Sequence, residues 1–168
     1  MNFQVAAVLA FLIGSMVSKA DDLGQHPFFA AITGEWIGDG ELNDRAEGKV
    51  IPIHEEWTGA KKDGGSFSME GMRNWGDEIQ EFRWVFSFNT VSELFECEYW
   101  QTGMSDTLKF DVILTDQRVQ IVAPFGEPGG EISIENSLKD GGIEGLVSVK
   151  NANGDVVVGG AVIHVRRE

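Results

Sequence analysis

The chain has 168 residues, with 13 Lys and Arg against 27 Asp and Glu, a formal net charge of −14. A surface this acidic is repelled by phosphate backbones and anionic bilayers, which argues against nucleic-acid binding and electrostatic membrane attachment. The single cysteine, Cys97, excludes an internal disulfide, so packing has to supply the stability.

Residues 1–20 have the layout of a signal peptide. Val5 to Ile13 form a short apolar run, and Ser18-Lys19-Ala20 puts small residues at both recognition positions of a cleavage site, ahead of Asp21-Asp22. No Lys or Arg precedes the run, so the amino terminus alone supplies the positive region. A spanning helix needs about 20 apolar residues, whereas Gly14, Ser15 and Ser18 interrupt this one. Cleavage after Ala20 is expected, which leaves residues 21–168 as one domain in a secreted or periplasmic location. Its formal charge becomes −15, because Lys19 is lost and no acid goes with it. No later stretch is apolar for long enough to insert in a membrane as a helix.

Leu23 to Ile32, with Pro27-Phe28-Phe29 at its centre, reads as a short helical turn that plugs one end of the following structure with two Phe rings. Beyond it the pattern has period two. Strands are predicted at 33–42, 48–58, 65–75, 78–88, 92–101, 107–115, 118–124, 131–138, 143–151 and 155–167. Turn chemistry separates them at Lys62-Asp63-Gly64-Gly65, Trp75-Gly76-Asp77, Gly126 to Gly130, Asp140-Gly141-Gly142 and Asn153-Gly154. Such connections are too short for crossover helices, so sequence neighbours become antiparallel neighbours. The predicted fold is all-β: an up-and-down antiparallel meander of 8–10 strands, closed into a barrel because closure removes exposed edges.

Alternation assigns the inner face strand by strand. It carries Trp36; Ile51, Ile53 and Trp57; Phe67, Met69 and Trp75; Phe82, Trp84, Phe86 and Phe88; and Phe95 and Tyr99. Phe110, Val112 and Leu114 follow, then Ile132, Ile134 and Leu138. On the last strand Val157, Ala161, Ile163 and Val165 are assigned inward together with Arg167, while His164 and Arg166 point outward. Closure brings that strand beside Gly34-Glu35-Trp36, so Trp36 and Arg167 are the predicted closing pair, a cation over an indole face. Glu55 and Arg73 also fall on apolar faces. A buried charge is costly unless paired, which leaves three readings: they pair with each other, they meet a ligand, or a bulge or the barrel mouth takes them out of the interior.

The leader, the short apolar turn, Gly34-x-Trp36, the meander of about ten strands and the terminal Arg together resemble the calycin superfamily, which includes lipocalins, fatty-acid-binding proteins and nitrobindins. Thr115-Asp116-Gln117 matches only the first two positions of the lipocalin Thr-Asp-Tyr signature, and the helix that follows the lipocalin barrel is missing. About six residues separate the first two strands, too few for the helical pair of fatty-acid-binding proteins. The resemblance therefore points to a bacterial lipocalin-like branch or a nitrobindin relative. It implies binding or carriage of a small apolar ligand inside the barrel, with Trp57, Phe67, Met69, Arg73, Trp84, Phe86, Phe95 and Tyr99 as candidate contacts. Equally bulky aromatics can fill a barrel completely, which gives a ligandless module whose acidic surface meets a protein partner. Nitrobindin-like barrels also imply haem held by a His on the final strand; here that residue is His164, which the alternation places outward.

Enzyme motifs are weak throughout. His54-Glu55-Glu56 lacks the second His of a zinc-protease helix, and Gly126 to Gly130 has neither the Lys nor the helix of a phosphate loop. Asn151, Asn153 and Asp155 fit a hairpin turn better than a calcium loop. Cys97 alternates with Phe95 and Tyr99 on the inner face, where a thiol is inert packing, and Glu96 and Glu98 share an outer face as solubilising charge.

Overall fold

Alternating apolar and polar side chains, cut by glycine turns, produce ten antiparallel strands in the computed structural model, which describes residues 22–168. In chain order they are β1 (Gly34–Asp44), β2 (Lys49–Lys61), β3 (Phe67–Trp75), β4 (Glu78–Asn89), β5 (Leu94–Gln101), β6 (Leu108–Thr115), β7 (Arg118–Pro124), β8 (Glu131–Lys139), β9 (Gly142–Lys150) and β10 (Val156–Arg166). Each pairs with its sequence neighbour, and β10 pairs with β1, so the sheet is a closed barrel without an edge. The predicted signal peptide lies outside the described residues. Among those described, no helix is long and apolar enough to cross a membrane.

The tightest hairpins use the predicted residues. Gly141 and Gly154, both at φ 84°, take the left-handed conformation open to glycine, and the Asn151 side chain accepts from the backbone of Asn153 and Asp155 to close the last turn.

One end of the barrel is sealed by the segment before β1. Asp22 caps a 3-10 turn (Leu23–Gln25), and the helix α1 (Pro27–Ala31) follows, with Pro27 at its first position and His26 Nδ1 accepting from the Phe28 N–H at 3.3 Å. Leu23, Phe28, Phe29 and Ile32 are at most 1% exposed. Phe29 packs against Phe67 and Phe86 with ring centroids 4.8 and 5.1 Å apart. Burying each Phe contributes about 1.5–3 kcal/mol, so these rings anchor the plug as well as close the barrel. Trp36 Nε1 donates to the Ile32 carbonyl at 2.9 Å, which ties β1 to the plug.

Two apolar clusters divide the interior. The larger one joins the plug to Trp36, Trp57, Phe67, Met69, Phe82, Trp84, Phe86 and Cys97. The smaller lies nearer the opposite mouth, where Leu42, Ile53 and Val162 meet Ile51, Trp75, Val147 and Val158.

The inner face of β10 is the reverse of the predicted one. Val162 and His164 point inward at 6% and 3% exposure, while Ile163 and Val165 face solvent at 52% and 50%. Val162 and Ile163 put an apolar side chain on each face, and the polar His164 and Arg166 share the face that turns inward, so alternation selects the wrong one; the register with β1 decides. Trp36 pairs with Arg166, Gly38 with His164 and Gly40 with Val162. A register irregularity between Val156 and Val158 marks the entry to the strand. Arg166, not Arg167, therefore covers Trp36, its guanidinium carbon 4.9 Å from the indole centroid. Arg166 also donates to the carbonyls of Thr33 and Ala31 at 2.8 and 2.9 Å, closing the end of α1. Arg167 turns outward to Glu56 at 2.9 Å.

Candidate functional site

A charged cluster sits across β2, β3 and β10 inside the barrel. Glu55 and Arg73 are register partners on the inner face of β2 and β3, which settles them as a pair: Arg73 Nε donates to Glu55 Oε1. On the other side of Glu55 stands Gly38 of β1, which pairs with both Glu55 and His164. Because Gly38 has no side chain, the imidazole of His164 lies over it, and its Nε2 meets Glu55 Oε2 at 2.7 Å. Burial on its own pushes the Glu55 carboxyl up; the hydrogen bond from His164 and the positive charge of Arg73 outweigh it and hold the group below its ordinary range. Glu55 is thus kept as a carboxylate with a partner on each oxygen.

Aromatic rings surround this cluster. Arg73 lies over Trp75 and Phe82 at 5.0 and 4.7 Å, and Trp57 meets His164 edge-on at 5.5 Å while stacking on Trp36 at 5.7 Å. The Tyr99 hydroxyl, raised by burial, donates to the Gln101 side chain. Trp57 Nε1, Trp75 Nε1 and His164 Nδ1 are buried and have no hydrogen-bond partner among the described residues. Unpaired buried polar atoms are costly, and three around one ion pair, two indole N–H groups and an imidazole nitrogen, mark this level of the barrel as distinct from an ordinary core.

The eight candidate contacts all face inward, but they fall into two environments. Trp57, Phe67, Met69, Trp84 and Phe86 are buried in the plug half, with Phe95 half-buried beside them. The space enclosed by Met69, Trp84, Phe86, Val119, Ile121, Ile134 and Asn136 is about 10 Å³, no larger than one water. The interior next to the plug is therefore filled. Arg73 and Tyr99 stand at the boundary of the other half. There Ile132, Val149 and Val158 share the inner register with buried Ala123 yet remain half-buried, and Leu108 at the rim is 47% exposed. Half-buried inward side chains occur toward both ends, Ile132, Val149 and Val158 at the mouth and Phe88, Phe95, Leu114 and Leu138 around the plug.

His164 is the member of this cluster that alternation misplaced. Its signal was Gly38, two residues beyond Trp36, which leaves room for a large side chain from the strand that closes the barrel. A haem does not fit around it: Nε2 is held by Glu55, Nδ1 is buried, and the enclosed space of about 10 Å³ compares with roughly 300–1,000 Å³ for ligand sites in general. Cys97 is buried between its register partners Phe86 and Phe110, and burial pushes its thiol well above the ordinary value, the environment of a packing side chain.

No family model and no curated protein matches the sequence. Among solved structures the chain is similar to a protein of unknown function from the DUF3598 family of Nostoc punctiforme, with a TM-score of 0.53 and 12% identity. The match covers 83% of this chain and 49% of that one, so the chain spans about half the length of this structural relative. At that identity the likeness is one of fold, and it is consistent with a calycin-like barrel without naming a calycin family.

Proposed function

We propose that the barrel binds a small apolar ligand, admitted through the mouth opposite the plug and held in the mouth half of the interior. The observation that supports this reading is the half-buried state of inward-facing Ile132, Val149 and Val158 inside an otherwise closed sheet. Removing such surface from water is worth about 25 cal/mol per Å², a gain open to any ligand that fits between these side chains. The packed plug half serves as a rigid floor, with Trp57, Phe67, Met69, Trp84 and Phe86 supporting the site; Arg73, Trp75 and Tyr99 line its deepest level. The leader-like residues 1–20 favour an export compartment for this binding, as a carrier or scavenger.

Native mass spectrometry of the chain purified from its host's export compartment tests the proposal. A small co-purifying adduct, lost when Val149→Trp fills the mouth half, supports it. A bare polypeptide mass under saturating apolar trial ligands overturns it and favours a filled barrel that acts through its acidic surface.

A further inference from the structure

We infer that the outer face of β10 docks a cationic amphipathic helix of a partner protein, a surface independent of whatever the interior holds. The outward positions of this strand run Gly159, Ala161, Ile163 and Val165, and both Ile163 and Val165 are exposed. No polar side chain interrupts them. Every other strand turns at least two polar or charged residues to that side, such as Glu70 and Asn74 on β3 or Arg118 and Gln120 on β7. Each neighbouring strand adds one aliphatic side chain to the stripe: Ile37 of β1 is the register partner of Val165, and exposed Leu146 of β9 is that of Ala161. Aliphatic side chains exposed singly are normal, but a contiguous stripe with a polar rim marks a surface that a partner covers.

Charge and shape identify the occupant. Glu35, Asp39 and Glu41 flank the stripe along β1, and Glu144 flanks it along β9. The nearby cations are held by other acids: Lys139 lies 3.1 Å from Glu144, Lys150 3.2 Å from Glu131 and Arg167 2.9 Å from Glu56. Asp39 meets His54 at 2.7 Å, and Arg45 stands past the mouth end of the stripe, its backbone N–H on the Val157 carbonyl. With acids on both flanks of a chain of net charge −14, a two-fold contact between copies sets carboxylates against carboxylates, whereas Lys and Arg of a partner are attracted. The closed sheet has no free edge for an extended segment to pair with, while a helix brings its backbone hydrogen bonds with it. Gly159 and Ala161 are small enough to let such a helix approach closely. From Gly159 to Val165 the stripe runs about 20 Å at about 3.4 Å per residue, the length of about 13 helical residues. Apolar side chains at i, i+3, i+4 and i+7 of that helix would lie on the stripe, with Lys or Arg on either side of them.

The test uses the intact chain and a fluorescein-labelled peptide of that length, with Leu at i, i+3, i+4 and i+7 and Lys elsewhere, beside its analogue with Glu for every Lys. Binding is read from fluorescence anisotropy at pH 7, and oligomeric state from sedimentation. The Lys peptide is expected to bind at least about tenfold more tightly than the Glu peptide. Any polycation adheres to an acidic protein to some degree, and an added carboxylate strengthens that adhesion, so the variants decide the site. Ile163→Asp should weaken binding of the Lys peptide at least about tenfold despite its new negative charge, and Val165→Ser, which adds no charge, should weaken it about fivefold. Ile113→Asp, at an equally exposed aliphatic of β6, should not weaken it. Equal binding by the parent and both stripe variants, or an equal loss in Ile113→Asp, overturns the site. No binding of the Lys peptide overturns the cationic helix as its occupant. A dimer in sedimentation that Ile163→Asp or Val165→Ser converts to a monomer shows that a second copy covers the stripe and overturns the assigned partner.

Discussion

Replacing Gly38 with alanine tests whether the close approach of β1 and β10 builds the charged cluster. The Cβ of an alanine there would lie 2.2 Å from Cδ2 and 2.7 Å from Nε2 of His164. Carbon atoms in contact sit about 3.5–4.0 Å apart, so the ring must move by more than about 1 Å. Gly38 is not in the left-handed region, so alanine adds no backbone strain and the effect is steric. Overpacking costs about 1–3 kcal/mol, and losing the 2.7 Å bond to the Glu55 carboxylate costs about 1.5–3 kcal/mol more. The gain from replacing a strand glycine offsets about 0.5–1 kcal/mol, which leaves a net loss of about 1.5–5.5 kcal/mol. Urea unfolding followed by tryptophan fluorescence measures it. In a His164→Ala background the same substitution should be close to neutral, because the new methyl enters the space left by the ring, giving a coupling of about 2 kcal/mol. Equal destabilisation in both backgrounds would show that the imidazole over Gly38 is not the cause, and the account of how Glu55 acquires its second partner would be wrong.

The folded-state value of Glu55 lies below its ordinary 4.5, so the unfolded chain binds the proton more readily and the stability carried by this carboxylate is lost as pH falls below that point. Glu55→Gln should cost about 3–5 kcal/mol at neutral pH and flatten the acid limb of a stability–pH profile; an unchanged limb would refute the assignment. Arg166→Ala should cost about 1–2 kcal/mol through the Trp36 face and the carbonyls of Ala31 and Thr33, while Arg167→Ala, which loses an exposed pair with Glu56, should cost under about 1 kcal/mol; the reverse order in thermal unfolding would favour Arg167 as the closing partner of Trp36. Cys97 should resist a thiol reagent at pH 8 in the folded protein and react at once in denaturant, and rapid native labelling would contradict its burial.

The strands, their antiparallel order and the Phe28–Phe29 plug were legible because each rests on local chemistry: alternation, glycine turns and a proline-led helix. The pairing of Glu55 with Arg73 was among the readings open from alternation alone, since both fall at the same level of neighbouring strands. The face of β10 was not legible. Gly159 and Gly160 carry no side chain to report orientation, and the polar His164 and Arg166 make the inward face look like the solvent face, so its parity depends on a pairing with β1 that spans most of the chain. The close packing of the interior beside the plug was equally hidden, because it depends on how Trp57, Trp84 and Phe86 interlock once ten strands set the radius.

The pairing of Trp36 with Arg166 also governs the order of events when the chain folds. Every other ladder joins consecutive strands and can zip as a hairpin, but this one has to close a loop of nearly the whole domain. Until it does, β1 and β10 are both bare edges, the first able to pair with the last strand of another copy as readily as with its own. The interval between the last hairpin and barrel closure is the period of greatest exposure to strand exchange, and a variant that slows closure, such as one that crowds Gly40 against the Ala161 carbonyl, will favour domain-swapped dimers.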